Sequence, residues 1–322
     1  MPICRICGYD ERERPFVAFE MMFGTKEPFE YFECSICGCI QICEYPLDIT
    51  RYYPRHYYAY RFRNHHKSSA LRVYLRKKRM RAYLEGVGIL GRLLLVLKGA
   101  PSGAIANWLK EANVKTKSRI LDVGCGDGAF LAQLRALGFH NSLGIDPYLE
   151  EGVIVDPLVR IERKHLTELD EDGFDFVTLH HTLEHMRDQL KVFRDIKRIL
   201  KRDGHVLIRT PVKGFAWQRY GINWVQLDAP RHLYIHTENS LRRLAAMAGL
   251  TVKKVVYDSS EFMFWGSEQY VAGIPLCDPT SYSENREKSI FSPNQMEEFR
   301  RQASELNLRG MGDQACFYLR RA

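Results

Sequence analysis

Ile120-Leu121-Asp122-Val123-Gly124-Cys125-Gly126-Asp127-Gly128-Ala129-Phe130 is the stretch whose reading decides the fold. The run from Arg119 to Val123 reads as a buried strand, the alternating glycines as a sharp turn, and Ala129 as the opening of a helix. Gly124, Gly126 and Gly128 remove the Cβ where the chain must turn and where a ligand would lie against backbone. Such turns also occur without any ligand, so the acids around this one matter. Asp122 sits two residues before the first glycine, where a carboxylate can reach a cationic or amine group. Asp146 closes the next apolar run, Leu143-Gly144-Ile145-Asp146, about 20 residues on, the spacing at which an acid meets ribose hydroxyls. The pattern predicts a Rossmann-like α/β domain.

Working outward, Ala129–Leu137 is a helix ended by Gly138. Strands follow at Leu143–Asp146, Val159–Arg163 and Phe174–Leu179, the last largely apolar, as in a sheet covered on both faces. Met186, Leu190, Phe193, Lys197 and Leu200 mark an amphipathic helix stopping near Asp203-Gly204, and His205–Arg209 is the fifth strand. Thr237 caps a helix that turns Leu241, Leu244, Ala245 and Ala248 inward and ends at Gly249. Thr251–Tyr257 and Cys316–Arg320 form a closing strand pair. Between them, 259–313 is a helical insert with a Ser292-capped helix through Leu306. Ligands in such folds sit outside the carboxyl ends of the strands, placing substrate at the loops after Asp122, Asp146, Leu179 and Arg209.

The segments LDVGCGDGAFL and GIDP resemble the first two motifs of class I S-adenosylmethionine-dependent methyltransferases. The resemblance continues through FDFVTLHHTLEHM, KRILKRDGHVLIRTP and APRHLYIHTENSLRRLAAMAGL, covering roughly residues 115 to 258 in the family's order. It implies a seven-stranded methyltransferase sheet with S-adenosylmethionine as cofactor. Asp122, Gly124, Gly126 and Gly128 would hold the methionine portion and Asp146 the ribose. His165 and Leu166 would flank adenine, and His180 would line the cofactor site.

Ahead of this domain, Cys4-Arg5-Ile6-Cys7-Gly8 and Cys34-Ser35-Ile36-Cys37-Gly38 are two C-x-x-C-G knuckles. Each puts two thiolates on one tight turn, and together they supply the four soft ligands of tetrahedral zinc, leaving no open position for chemistry. Cys39 and Cys43 are surplus. Nine cysteines in a chain that opens without an apolar signal core fit a reducing, cytoplasmic setting, and no apolar run is long enough to span a membrane. The expected organisation is a zinc ribbon over 1–46, a Tyr/Arg-rich basic linker with helices over 47–100, and the methyltransferase domain over 101–322.

The net charge of +8 is concentrated: residues 51–100 hold thirteen Lys or Arg against one acid, Glu85, and the rest is slightly acidic. One basic element facing an anionic partner follows from that distribution. Residues 45–66 are crowded with tyrosine, arginine and histidine, and Pro46 and Pro54 make them loop or short turns. They could stack on nucleic acid, pack across a cofactor pocket, or hold the ribbon to the main domain. Ser69–Lys98 is helical, and Gly86, Gly88 and Gly91 divide it into two helices or a kinked one. Its cations followed by GILGRLLLVL fit either a helix on an anionic membrane surface or a solvated face beside a packed one.

Methyl transfer needs alignment and removal of one proton, work for a histidine near neutrality. His181 and His185 follow the fourth strand, with Glu184 between them. Asp228-Ala229-Pro230-Arg231-His232-Leu233 resembles a segment of zinc-ribbon-bearing sugar methyltransferases whose histidine acts as base. His232 matches it, with Arg231 where those enzymes carry a glutamate. YYPRHYYAYR resembles their tyrosine segment, matching Tyr57, Tyr58 and Tyr60. The resemblance implies His232 as base, His181 and His185 as further catalytic candidates, and Tyr57, Tyr58, Tyr60 and Arg231 against a phosphate-bearing glycan substrate. RNA methylation is the rival activity, although His180-His181-Thr182-Leu183 stands where a base-amine enzyme would carry N-P-P-Y. A non-catalytic assembly module is the rival without chemistry.

Overall fold

The computed structural model describes residues 2–10, 15–53, 69–149 and 158–322. In chain order its elements are β1 (Phe16–Phe19), β2 (Pro28–Glu33), β3 (Ile40–Ile42), α1 (Ala70–Glu85), α2 (Ile89–Lys98), α3 (Ala104–Glu111), β4 (Ile120–Val123), α4 (Ala129–Leu137), β5 (Ser142–Ile145) and β6 (Arg160–Glu162). There follow β7 (Phe174–His180), α5 (Gln189–Ile199), β8 (Leu200–Pro211), α6 (Phe215–Tyr220), β9 (Tyr234–Ile235), α7 (Glu238–Met247), β10 (Leu250–Tyr257), α8 (Phe262–Val271), α9 (Pro293–Leu308) and β11 (Gln314–Arg321).

Seven strands form one sheet in the order β10-β11-β8-β7-β4-β5-β6. β4 is flanked in parallel by β5, with Ile120 opposite Ser142 and Val123 opposite Ile145, and by β7, with Ile120 opposite Phe176 and Val123 opposite Leu179. All four residues of β4 are buried, as a central strand covered on both faces requires. This is the α/β seven-stranded architecture that the glycine turn and its flanking runs predict.

The chain divides into two compact units that do not follow its linear order. One comprises Met1–Pro54, His181–Leu190 and Arg209–Phe317, and the other Arg55–His180, Lys191–Ile208 and Tyr318–Ala322.

In the second unit, Ser69 caps α1 by accepting from the Arg72 amide at 3.4 Å, and Gly86 ends it in the left-handed region. α2 packs back on α1 because Gly91 lets it approach the Lys78 carbonyl, a position any Cβ would overlap. Two helices therefore stand where the glycines divide the sequence. One boundary differs from expectation. The helix before the fifth strand ends at Ile199, and Asp203-Gly204 lies inside β8 instead of stopping the helix. Gly204 is needed there for space: a Cβ would sit 2.8 Å from Leu200 Cδ1 and 3.0 Å from the Phe174 carbonyl oxygen.

In the first unit, β1, β2, β3 and β9 form a second, four-stranded sheet. β3 pairs antiparallel with β9, Ile40 opposite Ile235 and Gln41 opposite Tyr234, so a strand from far along the chain completes the ribbon's sheet. The insert holds α8 as well as the expected α9, where Ser292 accepts from the Gln295 amide at 3.3 Å and Pro293 opens the first turn. Among the described residues no helix is long and apolar enough to cross a membrane.

Candidate active site

The glycine turn and its two acids meet at the carboxyl ends of β4 and β5. Gly124, Gly126 and Gly128 all have positive φ. At Gly128 a φ of 80° favours glycine, and a Cβ there would also push aside the tip of the Ile161 side chain. Asp146 fixes the turn: its carboxylate accepts from the Gly126 amide at 3.0 Å and from the Tyr148 amide at 2.9 Å. Asp122 is buried and accepts from Thr178 Oγ1 at 2.8 Å. Burial pushes its carboxyl up to about 7, the Thr178 hydroxyl opposes that rise, and Asp146 adds to it. A cationic ligand group would restore the charged form, which suits the methionine ammonium of S-adenosylmethionine.

His180, the last residue of β7, packs its ring 4.7 Å from both Trp108 and Phe130. The sequence reading names His180 as lining the cofactor site and does not name Trp108, which packs against it. Beyond β6, His165 is exposed and its amide donates to Glu168 Oε2 at 2.7 Å, while Leu166 is buried.

In the other unit, a constellation gathers around Glu184. It follows β7 on a short 3-10 turn, Leu183–His185, and its side chain has no solvent exposure. Glu184 Oε2 accepts from Thr210 Oγ1 at 3.0 Å, and Oε1 lies 3.3 Å from His181 Nδ1. Burial would raise this carboxyl, but His181 beside it outweighs burial and holds it at about 2. The rings of His185 and His232 meet edge to face at 4.8 Å. His185 Nδ1 lies 2.8 Å from the Arg231 carbonyl and 2.9 Å from the Tyr53 hydroxyl. His232 Nδ1 lies 2.8 Å from the Gln226 carbonyl. A carbonyl only accepts, so each ring donates from Nδ1, and a neutral ring then carries its lone pair on Nε2. Burial, then His232, drives His185 down to about 4, keeping its ring neutral. His181 is differently engaged. Arg209 Nη1 lies 2.7 Å from its Nε2, so that nitrogen accepts and is occupied. Its backbone adopts φ of 50°, one of few non-glycine residues in the left-handed region, and Asp228 at 41° is another.

Arg231, expected against substrate, is instead wholly buried. Its guanidinium donates to both Asp228 oxygens, at 2.6 to 3.0 Å, and to Glu20 at 2.9 Å. Two carboxylates compensate this buried cation, which fixes the loop carrying His232. Asp228 Oδ2 lies 3.8 Å from His232 Nε2, so the acid near the histidine comes from four positions upstream and not from position 231. Tyr57, Tyr58 and Tyr60 lie outside the described residues; the tyrosine of that stretch seen to reach a candidate histidine is Tyr53. Nothing in the local pattern singles out Glu20 or Tyr53, because both arrive through tertiary folding of the N-terminal segment.

That segment carries the four cysteines. Cys4 and Cys37 Sγ lie 3.6 Å apart, Cys7 and Cys34 Sγ 3.5 Å, and all four within 4.8 Å of one another. Thiolates about 2.3 Å from one zinc are about 3.8 Å apart, so the cluster fits a tetrahedral ion. Gly8 and Gly38 close the knuckles, their amides donating to the Cys4 and Cys34 carbonyls at 2.9 and 2.8 Å. Gln41 Nε2 donates to Cys4 Sγ at 3.0 Å. Cys39 stands apart, buried against the Ile40 carbonyl.

A family model described as a methyltransferase domain matches residues 99–255. The chain is 30% identical over 168 residues to a ubiquinone biosynthesis O-methyltransferase of Pseudomonas fluorescens, spanning 47% of this chain and 72% of that protein. The corresponding Pseudomonas aeruginosa protein is 29% identical over the same shares. Among solved structures, an S-adenosylmethionine dependent methyltransferase from Mesorhizobium loti is 20% identical, with TM-score 0.43, covering 68% of this chain and 99% of that one. The chain belongs to the class I S-adenosylmethionine-dependent methyltransferases.

Proposed function

We propose that the enzyme methylates a hydroxyl oxygen of a sugar in a nucleotide-activated or lipid-linked glycan, and that the hydroxyl is activated at Glu184, His185 and His232. The sulfonium methyl is already electrophilic, so the protein's task is to align an oxygen and take away its proton. One observation carries the reading: two imidazoles, each fixed through Nδ1 with Nε2 left for the acceptor, stand beside a buried carboxylate. Oxygen as the acceptor atom is supported by relatives named as O-methyltransferases. The sugar is supported by the resemblance around His232, now with Asp228 near that histidine. The surplus of Lys and Arg over 51–100 suits a diphosphate.

A lipid-linked acceptor is favoured by the α1–α2 pair. Ile89, Leu93, Val96 and Leu97 are exposed on α2, while Arg72, Arg76 and Arg81 are exposed on α1. An apolar face beside cations fits the headgroup boundary of an anionic membrane. Co-sedimentation with phosphatidylserine vesicles is expected for the native protein and its loss for Leu93→Glu with Leu97→Glu; equal sedimentation of both proteins would remove this contact. The acceptor is tested by transfer of labelled methyl from S-adenosylmethionine to nucleotide sugars, lipid-linked glycans and RNA. Label on a sugar hydroxyl is expected, and label on RNA alone would overturn the reading.

A further inference from the structure

Glu184, His185 and His232 offer one donor atom each, and the three lie within 4.8 Å of one another. Both histidines show the arrangement that metal ligands need. His185 Nδ1 is tied to the Arg231 carbonyl and the Tyr53 hydroxyl, His232 Nδ1 to the Gln226 carbonyl, leaving each Nε2 as the nitrogen a ligand can meet. His185 Nε2 makes no hydrogen bond among the described residues, and His232 Nε2 meets only Asp228 Oδ2, at 3.8 Å.

The carboxylate supplies an independent sign. Glu184 is completely buried, and its Oε1 makes no hydrogen bond among the described residues, the His181 Nδ1 contact at 3.3 Å lacking hydrogen-bond geometry. Its other oxygen is held by Thr210. A buried carboxylate oxygen left without a hydrogen bond is costly unless a further partner completes it. His185 and His232 commit their Nδ1 protons to backbone carbonyls, and the one other ring beside it among the described residues, His181, turns its Nδ1 to the oxygen at 3.3 Å without completing a hydrogen bond. What completes two lone-pair nitrogens and an anionic oxygen is a cation.

We propose that Glu184 Oε1, His185 Nε2 and His232 Nε2 are the ligands of a divalent first-row transition cation, distinct from the cysteine site. Two imidazoles and one carboxylate leave coordination positions open, unlike four thiolates, so an acceptor hydroxyl can bind the same ion. The inference rests on the proposed activation of a hydroxyl at this constellation and gives its means. Bound to the cation, the hydroxyl loses its O–H proton to water at a lowered pKa. The oxygen lone pair forms the C–O bond as the methyl–sulfur bond breaks, its electron pair passing to sulfur to give S-adenosylhomocysteine. Nothing is oxidised or reduced.

Cobalt(II) tests this on the full-length protein with its cysteine site filled by zinc. Native protein is expected to take up one cobalt with the visible bands of nitrogen and oxygen ligation and no thiolate charge-transfer band. Glu184→Gln and His232→Asn should each weaken that uptake at least tenfold while retaining native circular dichroism and S-adenosylmethionine binding. Should one variant fail to fold, the other and His185→Asn decide. Absence of cobalt uptake by the native protein, or uptake unchanged in the folded variants, overturns the site. Loss of methyl transfer in His232→Asn without any cobalt uptake would overturn the metal and leave hydroxyl activation standing. Cobalt uptake by the native protein that is lost in His232→Asn, with native turnover in that variant, would leave the metal standing and overturn hydroxyl activation.

Discussion

At the scale of single residues, the acids beside the glycine turn were readable because strand ends and spacing place them. Asp146→Ala should weaken S-adenosylmethionine binding by roughly 1–3 kcal/mol, the range for a hydrogen bond to a charged acceptor, as measured by isothermal titration. An unaltered affinity would show that this acid does not meet ribose. Asp122 adds a pH dependence. Its carboxyl is raised to about 7 in the folded state, so the fold binds its proton more tightly than the unfolded chain does. Its stabilising effect is complete below about pH 4 and is lost as pH climbs through 7. Cofactor-free Asp122→Asn should therefore melt higher than the native protein at pH 8, by a few kcal/mol at most at about 1.4 kcal/mol per pH unit. The gap should close toward pH 4, and the variant should bind S-adenosylmethionine less tightly at pH 8. A gap that widened on acidification would contradict the assignment. Arg231 was misread because sequence shows a cation's charge and not its partners. Arg231→Leu strands Asp228 and Glu20 and should cost about 3–5 kcal/mol in a urea titration. A loss under about 1 kcal/mol would reopen the substrate-binding role first expected of Arg231.

At the scale of elements, periodicity and punctuation carried most of the fold. β4, β5, β7, α7 and α9 lie where apolar runs, Thr237, Ser292 and the glycines put them. The errors have one cause. Asp203-Gly204 reads as a helix stop, yet Gly204 serves a packing need inside β8, and packing is not local information. β9 is only two residues long and too short to show a strand pattern. It exists because β3 offers it an edge, and it anchors the chain just beyond His232. The Tyr31 hydroxyl donates to the His232 carbonyl at 2.9 Å, tying β2 to the same residue.

For the whole molecule, the ribbon is part of the framework around the candidate catalytic histidines. The Thr237 hydroxyl donates to the Cys37 carbonyl at 2.6 Å, and Gly38 lies against the Thr237 methyl, where a Cβ would come within 2.8 Å. Cys4→Ser with Cys37→Ser should remove one zinc per chain by metal analysis and also lower methyl transfer, since the sheet carrying β9 loses its clamp. Native zinc content would move the site to other cysteines, and native transfer without zinc would make the ribbon a mere appendage. The sequence could pair the cysteines with zinc but could not show this integration, because β3 and β9 are nearly 200 positions apart. What most directly probes hydroxyl activation at Glu184, His185 and His232 is labelled methyl transfer to a glycan acceptor by His232→Asn, His185→Asn and His181→Asn side by side. His232→Asn should lose about 10²–10⁴-fold in turnover with S-adenosylmethionine affinity intact. His185→Asn should fall with it, and His181→Asn less, its Nε2 being held by Arg209. Near-native turnover in His232→Asn, together with abolition in His181→Asn, would place the chemistry at His181 and contradict the site described.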